Sequence, residues 1–319
     1  MKIVVLERNS VGTDISVDCL EQYGDVTFYR NTVRHQVAER IKDADIIINN
    51  KAPLDAETLK DAPNVKLICE FATGYDNVDI DYCKKRGIKV ANARNYSTAA
   101  VAQHTFALLF YLLEHLPHYD QYVKGGTYGA QDRFSNFDKP FVELDGKTWG
   151  IVGMGNIGKA VAKIAKAFGC RVIFYSPTGK STCTEYEKVS FETLLQESDF
   201  LSLHCPLSDL TRHLIDETAL SKMKKTAILL NVARGGVVDT KALAKVLCDD
   251  GILAAGLDVL EAEPIASDDP LGEIKDSDKL LITPHMAWAS TEARERIVEE
   301  TCKNLEAFFN GEDRNIVNL

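Results

Sequence analysis

The sequence predicts an α/β protein with two doubly wound parallel sheets, and three observations predict it. Short, continuously apolar runs alternate with helical patterns along almost the whole chain, as strands covered on both faces of a parallel sheet require. The 319 residues amount to two ordinary domains at about 150 residues each. A glycine-rich turn, Gly153-Met154-Gly155-Asn156-Ile157-Gly158, joins one apolar run to a helical pattern near mid-chain.

Taken in order, the first hundred residues hold five predicted strands, at 2–6, 26–29, 45–49, 66–71 and 89–93. Helical stretches at 55–60 and 79–86 lie between them, the second followed by Gly87 as a stop signal. A long helical pattern runs over 98–124, and Pro117 is expected to break it. The segment 125–144 is polar, aromatic and without period. A loop of that length in a compact protein is expected to be functional or an interface arm. Six further strands follow, at 148–152, 171–176, 199–204, 226–231, 254–259 and 280–283, with helices between them. An amphipathic helix over 291–310, ended by Gly311, closes the chain.

Composition excludes several classes. The net charge of −10 argues against a nucleic-acid binder, which needs a clustered basic surface, and against a polybasic membrane-surface protein. No apolar run reaches transmembrane length, and the N-terminus does not read as a signal peptide. The eight cysteines, at 19, 69, 83, 170, 183, 205, 248 and 302, form no C-x-x-C pair. They read as reduced, mostly buried thiols of a cytoplasmic protein, with no metal site.

The glycine turn carries the first functional signal. It follows the strand pattern Trp149-Gly150-Ile151-Val152 and opens a helix with apolar residues at Ile157, Val161, Ile164, Ala165 and Phe168. Gly153 permits the tight turn, Gly155 the approach of a pyrophosphate, and Gly158 close packing of helix on strand. The helix N-terminus adds unpaired N–H groups and a positive dipole end. Residues 153–159 also read G-x-x-x-x-G-K, but Ala160 stands where a P-loop needs Ser or Thr, which discounts an NTPase. The next strand should end in an acid that holds the adenosine ribose. Ser176 stands there instead, followed by Thr178 and Lys180. The missing charge lifts the objection to a 2′-phosphate, yet no arginine completes an NADP signal, so NAD and NADP both stay open.

Three later segments place chemically capable residues after strands of the same sheet. They are Asn231-Val232-Ala233-Arg234-Gly235-Gly236, Asp258-Val259-Leu260-Glu261-Ala262-Glu263-Pro264 and Thr283-Pro284-His285-Met286-Ala287-Trp288. Singly, Arg234, Glu263 and His285 each have an ordinary structural explanation. Together they lie at the carboxyl edge, where open α/β sheets bind ligands.

With the run Thr73–Asp79 (T-G-Y-D-N-V-D), these motifs resemble the D-isomer-specific 2-hydroxyacid dehydrogenase family. Order and spacing agree, with 29 residues from Arg234 to Glu263 and 22 from Glu263 to His285, and the resemblance covers essentially the whole chain. It implies a Rossmann nucleotide-binding domain, 99–286, inserted into a flavodoxin-like substrate domain formed by 1–98 and 287–319. It implies Arg234, Glu263 and His285 as the catalytic trio. Arg234 would grip the carboxylate of a 2-keto acid with its planar fork of donors. His285 would be the general acid, oriented by Glu263, which favours the imidazolium.

The resemblance also assigns residues around the cofactor and the substrate. Gly153, Gly155, Asn156, Ile157, Gly158, Ser176, Cys205, Val232, Ala233, Arg234, Asp258, His285 and Ala287 would line the cofactor, Asp258 bonding the nicotinamide carboxamide. Thr73, Gly74, Arg234, His285 and Trp288 would meet the substrate, Thr73 and Gly74 through backbone N–H groups. Trp288 is equally open to a core role.

Asn49-Asn50-Lys51, residues 143–148 and His285–Ala289 resemble the glycerate dehydrogenase, or hydroxypyruvate and glyoxylate reductase, branch. Phe137 stands where that branch often has tryptophan. A reductase of lactate-like or bulkier 2-keto acids remains an alternative, as does a corepressor-like scaffold that senses NAD. The resemblance further implies a homodimer, joined through the helix after residue 98 and the arm that follows. The ligands so implied are anions. On a chain of net charge −10, their binding rests on local donors.

Overall fold

The computed structural model describes all 319 residues. The chain divides into two compact units, one of Met1–Ser97 with Ala289–Leu319, the other of Thr98–Trp288.

The first unit is a five-stranded, wholly parallel sheet. Its strands are β1 (Lys2–Val5), β2 (Asp25–Phe28), β3 (Ile46–Asn49), β4 (Leu67–Glu70) and β5 (Lys89–Ala91), in the order β2-β1-β3-β4-β5. That is the flavodoxin-type order, which reverses direction beside β1. Every residue of β3 and β4 is buried, which is why these strands read as unbroken apolar runs. The helix Ile80–Arg86 is capped by Asp79, whose carboxylate accepts from Tyr82 N, and is closed by Gly87 at φ 69°. The helix Thr291–Phe309 completes the unit. Its Phe309 stacks on Tyr23 at 5.9 Å.

The second unit is a seven-stranded parallel sheet. It comprises β6 (Thr148–Val152), β7 (Arg171–Tyr175), β8 (Glu187–Lys188), β9 (Phe200–Leu203), β10 (Ile228–Asn231), β11 (Ala254–Leu257) and β12 (Leu280–Ile282). The order is β12-β11-β10-β9-β6-β7-β8, so the chain starts in the middle, works outward, then crosses back over β6 to build the other half. The break in direction between β6 and β9 is the switch point at which doubly wound sheets take nucleotides. The sequence predicted six strands here. The seventh, β8, is two exposed residues at the sheet edge, with no apolar run to betray it. Cys205 therefore follows the fourth strand of this unit in chain order, whereas among the six predicted strands it follows the third.

The helical pattern over 98–124 is two helices, Thr98–Leu113 and Leu116–Lys124. The break falls before Pro117, at His115, which adopts φ 51°. Pro117 sits in the first turn of the new helix, where its missing N–H has no partner to lose. The first of these helices is buried along Val101, Ala102, Phe106, Leu108, Leu109 and Leu112, and packs on the helix Asn156–Ala167 and on β10 and β11. The arm at 125–144 holds one helical turn, Thr127–Ala130, and is otherwise irregular. The cysteines are unpaired; five are buried, whereas Cys19 and Cys248 are exposed. No helix is long and apolar enough to cross a membrane.

One buried group sets a pH limit on the first unit. Glu70 ends β4 with no exposed surface. Its carboxyl accepts from Asn49 Nδ2 at 2.9 Å and from Asn77 Nδ2 at 3.3 Å. Both amides also donate to Ala52 O, so the cluster knots the loop after β3 to the loop after β4. Burial pushes this carboxyl up to about 8, against the two amide donors, with Glu7 pushing the same way. The folded chain therefore holds a proton that the unfolded chain releases near pH 4.5. Stability is fully present below that value and is lost as the pH rises through about 8. Glu70→Gln should flatten this loss. Thermal midpoints from about pH 5 to about pH 9 should fall less in the variant than in the parent; parallel curves would refute the assignment.

Candidate active site

Strand order alone sets most of the predicted residues in one row. Along β7, β6, β9, β10, β11 and β12, the residues that follow the carboxyl ends are Ser176, Gly153–Gly158, Cys205, Val232-Ala233-Arg234, Asp258 and Thr283-Pro284-His285.

The glycine turn separates into two needs of the fold and one of another kind. Gly153 adopts φ 92°, and a Cβ there would meet the His204–Cys205 backbone at 2.9 Å. A Cβ on Gly158 would lie 2.3 Å from Gly153 O. Both positions are closed to side chains by the protein itself. Gly155 is exposed, its φ of −80° suits any residue, and a Cβ there meets no protein atom within 4 Å. The fold does not require glycine at 155, and the space beside the first turn of the helix Asn156–Ala167 is open. Asn156 is exposed and Ile157 half-buried in the first turn of that helix. The cradle fits a dinucleotide pyrophosphate.

On either side the surface is apolar and closed. Ser176, Cys205, Val232 and Ala233 are each less than a tenth exposed. Burial pushes the Cys205 thiol up to about 11, so it packs and does not react as a thiolate. After β7 the chain turns tightly, with Gly179 N donating to Ser176 O at 2.9 Å. Lys188 Nζ, from β8, donates to Gly179 O at 2.9 Å. That lysine went unnoticed in the sequence because nothing there marks β8.

Arg234 is shaped by Asn231. The Asn231 amide donates to Arg234 O at 3.0 Å, and its Oδ1 accepts from Ala233 N at 3.0 Å. Gly235 follows with its backbone flat against the Leu260–Glu261 peptide, where a Cβ would come within 2.0 Å of Leu260 O. The arginine turn and the loop bearing Glu263 are thereby held together. The same loop is tied down by Glu261, which accepts from Thr240 N at 2.9 Å and pairs with His213 Nε2 at 3.1 Å. Those donors hold the Glu261 carboxyl below the usual carboxylate range, against the desolvation of its partial burial.

His285 and Glu263 meet directly, Nδ1 to Oε2 at 2.7 Å. The other oxygen, Oε1, accepts from Leu260 N at 3.0 Å, which fixes the carboxylate's direction. A carboxylate can only accept, so Nδ1 carries a proton, and Nε2 is the ring nitrogen that this pair leaves uncommitted. His285 sits at φ 53°, a region few non-glycine residues occupy. Its N–H donates to Asp258 O at 2.8 Å and to Thr283 O at 2.9 Å. Asp258 is 1% exposed. Its carboxylate accepts from Met286 N and Ala287 N, both at 2.8 Å, and from Thr283 Oγ1 at 2.6 Å. Asp258 thus already spends acceptor capacity on the His285 loop.

Ala287 is buried, and Trp288 is half-buried against the core that includes Phe106 and Trp149. Thr73 and Gly74 lie in the first unit, in the loop after β4. The Thr73 hydroxyl donates to Ala93 O at 2.8 Å, so that side chain is committed to the fold. Phe137 stands in the arm, 71% exposed.

A nucleotide cradle, an arginine and a histidine–carboxylate pair along one sheet edge make up the equipment of a nucleotide-dependent oxidoreductase. The sequence profile of the D-isomer specific 2-hydroxyacid dehydrogenase NAD-binding domain matches residues 106–287. A hydroxypyruvate reductase of Blautia hydrogenotrophica is 38% identical over the full length of both chains. A glyoxylate reductase of Korarchaeum cryptofilum is 42% identical over 88% of this chain and 85% of its own. Among solved structures, D-lactate dehydrogenase from Aquifex aeolicus, complexed with NAD and lactic acid, superposes with a TM-score of 0.86. It is 32% identical, over 98% of this chain and 96% of that one. The chain belongs to the D-isomer specific 2-hydroxyacid dehydrogenase family, and is an oxidoreductase acting on CH–OH groups with a nicotinamide cofactor.

Gly158 and Gly155 should part company on substitution. Gly158→Ala should destabilise the fold by about 2 kcal/mol. Gly155→Ala should leave the thermal midpoint nearly unchanged yet weaken cofactor binding at least about tenfold, read by quenching of tryptophan fluorescence. Equal effects on stability at both positions would contradict the division.

Proposed function

We propose that this chain reduces a small 2-keto acid, hydroxypyruvate or glyoxylate, to the corresponding D-2-hydroxy acid or glycolate. The observation that carries the proposal is the 2.7 Å pair of His285 and Glu263 on the edge that also bears Arg234. The names of the relatives, hydroxypyruvate reductase and glyoxylate reductase, support that substrate class over lactate-like or bulkier acids.

The bound nicotinamide supplies the hydride. Arg234 grips the substrate carboxylate and polarises the neighbouring carbonyl. Negative charge then grows on the carbonyl oxygen, and His285 Nε2 gives it a proton. Glu263 holds the ring in place through Nδ1 and stabilises its protonated form. The first unit, residues 1–97 with 289–319, is the substrate domain, and the N–H groups of Thr73 and Gly74 are its candidate carboxylate donors. Asp258 holds the carboxamide of the nicotinamide alongside its ties to the His285 loop. Trp288 walls the substrate pocket.

The turn after β7 carries no acid at 176 to oppose a 2′-phosphate. Ser176 supplies no negative charge, while Lys180, and Lys188 on Gly179 O, bring positive charge near the place of a 2′-phosphate. We propose NADPH as the preferred donor. The arm at 125–144 supports a homodimer. It exposes Phe134, Phe137 and Phe141 at 90, 71 and 58%, an apolar concentration that single soluble chains seldom leave bare.

Absorbance of NADPH and NADH with glyoxylate, hydroxypyruvate, pyruvate and phenylpyruvate tests the activity. Rapid oxidation with the first two supports the proposal; cofactor binding without turnover on any of the four would favour a scaffold. His285→Ala should abolish turnover and leave cofactor affinity largely intact. Glu263→Gln should move the pH–rate profile for reduction to lower pH, because the imidazolium loses its anionic partner; an unmoved profile would count against the pairing. Ser176→Asp should shift the ratio of kcat/KM values toward NADH at least about tenfold. An unchanged ratio would show that the turn does not read the 2′-position.

A further inference from the structure

His104 belongs to the apolar helix Thr98–Leu113 and is not among the residues that the family motifs picked out. Its side chain is 17% exposed. Nε2 lies 2.9 Å from Thr283 Oγ1 and 3.5 Å from Asp258 Oδ1. The proton count at this point is closed. Thr283 has one hydroxyl proton, and it goes to Asp258 Oδ1 at 2.6 Å. The carboxylate has none to give. His104 Nε2 must therefore carry a proton and donate it to Thr283 Oγ1.

A one-way relay results: His104 Nε2–H to Thr283 Oγ1–H to Asp258 Oδ1. The same carboxylate accepts from Met286 N and Ala287 N, the two residues after His285. The backbone N–H of His285 is bonded to Asp258 O and Thr283 O. The relay thus brackets His285 on both sides, where the backbone is in a left-handed conformation that needs outside support. Deleting the first donor leaves Thr283 Oγ1 with its proton still directed at Asp258 but with no donor of its own. The hydroxyl is then held by Asp258 alone, and the His285 loop loses the side-chain hydrogen bond by which His104 ties it to the helix Thr98–Leu113.

From this geometry we infer that His104 is a positioning residue for proton delivery by His285, acting through Thr283 and Asp258. The inference rests on the role proposed above for His285. Misplacing a reacting group by about 1 Å can lower kcat about 100-fold while changing substrate affinity little. A histidine present only to fill space would show no such split.

Three variants test this. His104→Phe keeps the ring volume and removes the donor, His104→Gln keeps a donor on a chain of similar reach, and Thr283→Val removes the middle member. With hydroxypyruvate and NADPH, His104→Phe should lower kcat about 10- to 100-fold with KM for the keto acid changed less than about threefold. His104→Gln should recover most of that loss. The double variant His104→Phe/Thr283→Val should be no slower than the slower single variant, because both cut one relay. Should His104→Phe fail to fold, Thr283→Val still reads out, and the same split is expected of it. Wild-type kcat in His104→Phe, multiplicative losses in the double variant, or a fall in thermal midpoint that Gln does not rescue would each overturn the inference. Turnover surviving in His285→Ala would instead overturn the role of His285 itself, so the two failures are told apart.

Discussion

The carboxylate of Asp258 is the tie on which the site depends. It is buried, and it gathers three donors from Thr283, Met286 and Ala287. A buried charge is tolerable only when hydrogen bonds satisfy it, and here every one of those bonds comes from the segment that carries His285. The left-handed backbone at His285 is held by the same segment. Its side chain can then meet Glu263 at hydrogen-bonding distance without searching for it. Loss of the Asp258 charge would strand three donors and release the histidine at once.

Around this tie, the order of the strands does the arranging. Because the second sheet runs β12-β11-β10-β9-β6-β7-β8, segments far apart in sequence end side by side along one edge. The cradle at Gly153–Gly158 lies at the change of direction, and the arginine, aspartate and histidine segments follow outward in turn. Anionic ligands come to a chain of net charge −10. The charge as a whole repels them, so affinity has to come from donors fixed at short range, such as the N–H groups of a helix N-terminus. Such donors act only if their geometry is set beforehand, which explains the density of backbone-fixing contacts from Asn231, Gly235, Glu261 and Asp258.

Much of this was legible in the sequence, for identifiable reasons. Strands such as Ile46–Asn49 and Ile228–Asn231 are buried on both faces, so they appear as unbroken apolar runs. Glycines at 153 and 158 are forced by contacts with the neighbouring backbone, and such positions leave a fixed spacing. Arg234, Glu263 and His285 follow strands in a regular order. What escaped has no such mark. β8 is two exposed polar residues. The helix break at His115 comes from a left-handed residue ahead of Pro117, and the proline only begins the next helix. Glu70 and His104 are polar residues inside apolar patterns, where a sequence shows the exception but not its partners. Only the fold shows that one faces Asn49 and Asn77 and the other Thr283.

If His285 gives its proton to the substrate oxygen as the hydride arrives, reduction should be sensitive to the solvent isotope. The measurement is a single turnover of the NADPH-loaded protein mixed with hydroxypyruvate, followed at the nicotinamide absorbance in H2O and in D2O. Decay should be slower in D2O, because the transferred proton comes from an exchangeable ring nitrogen. Identical decay in the two solvents, with chemistry shown to limit the rate, would contradict it.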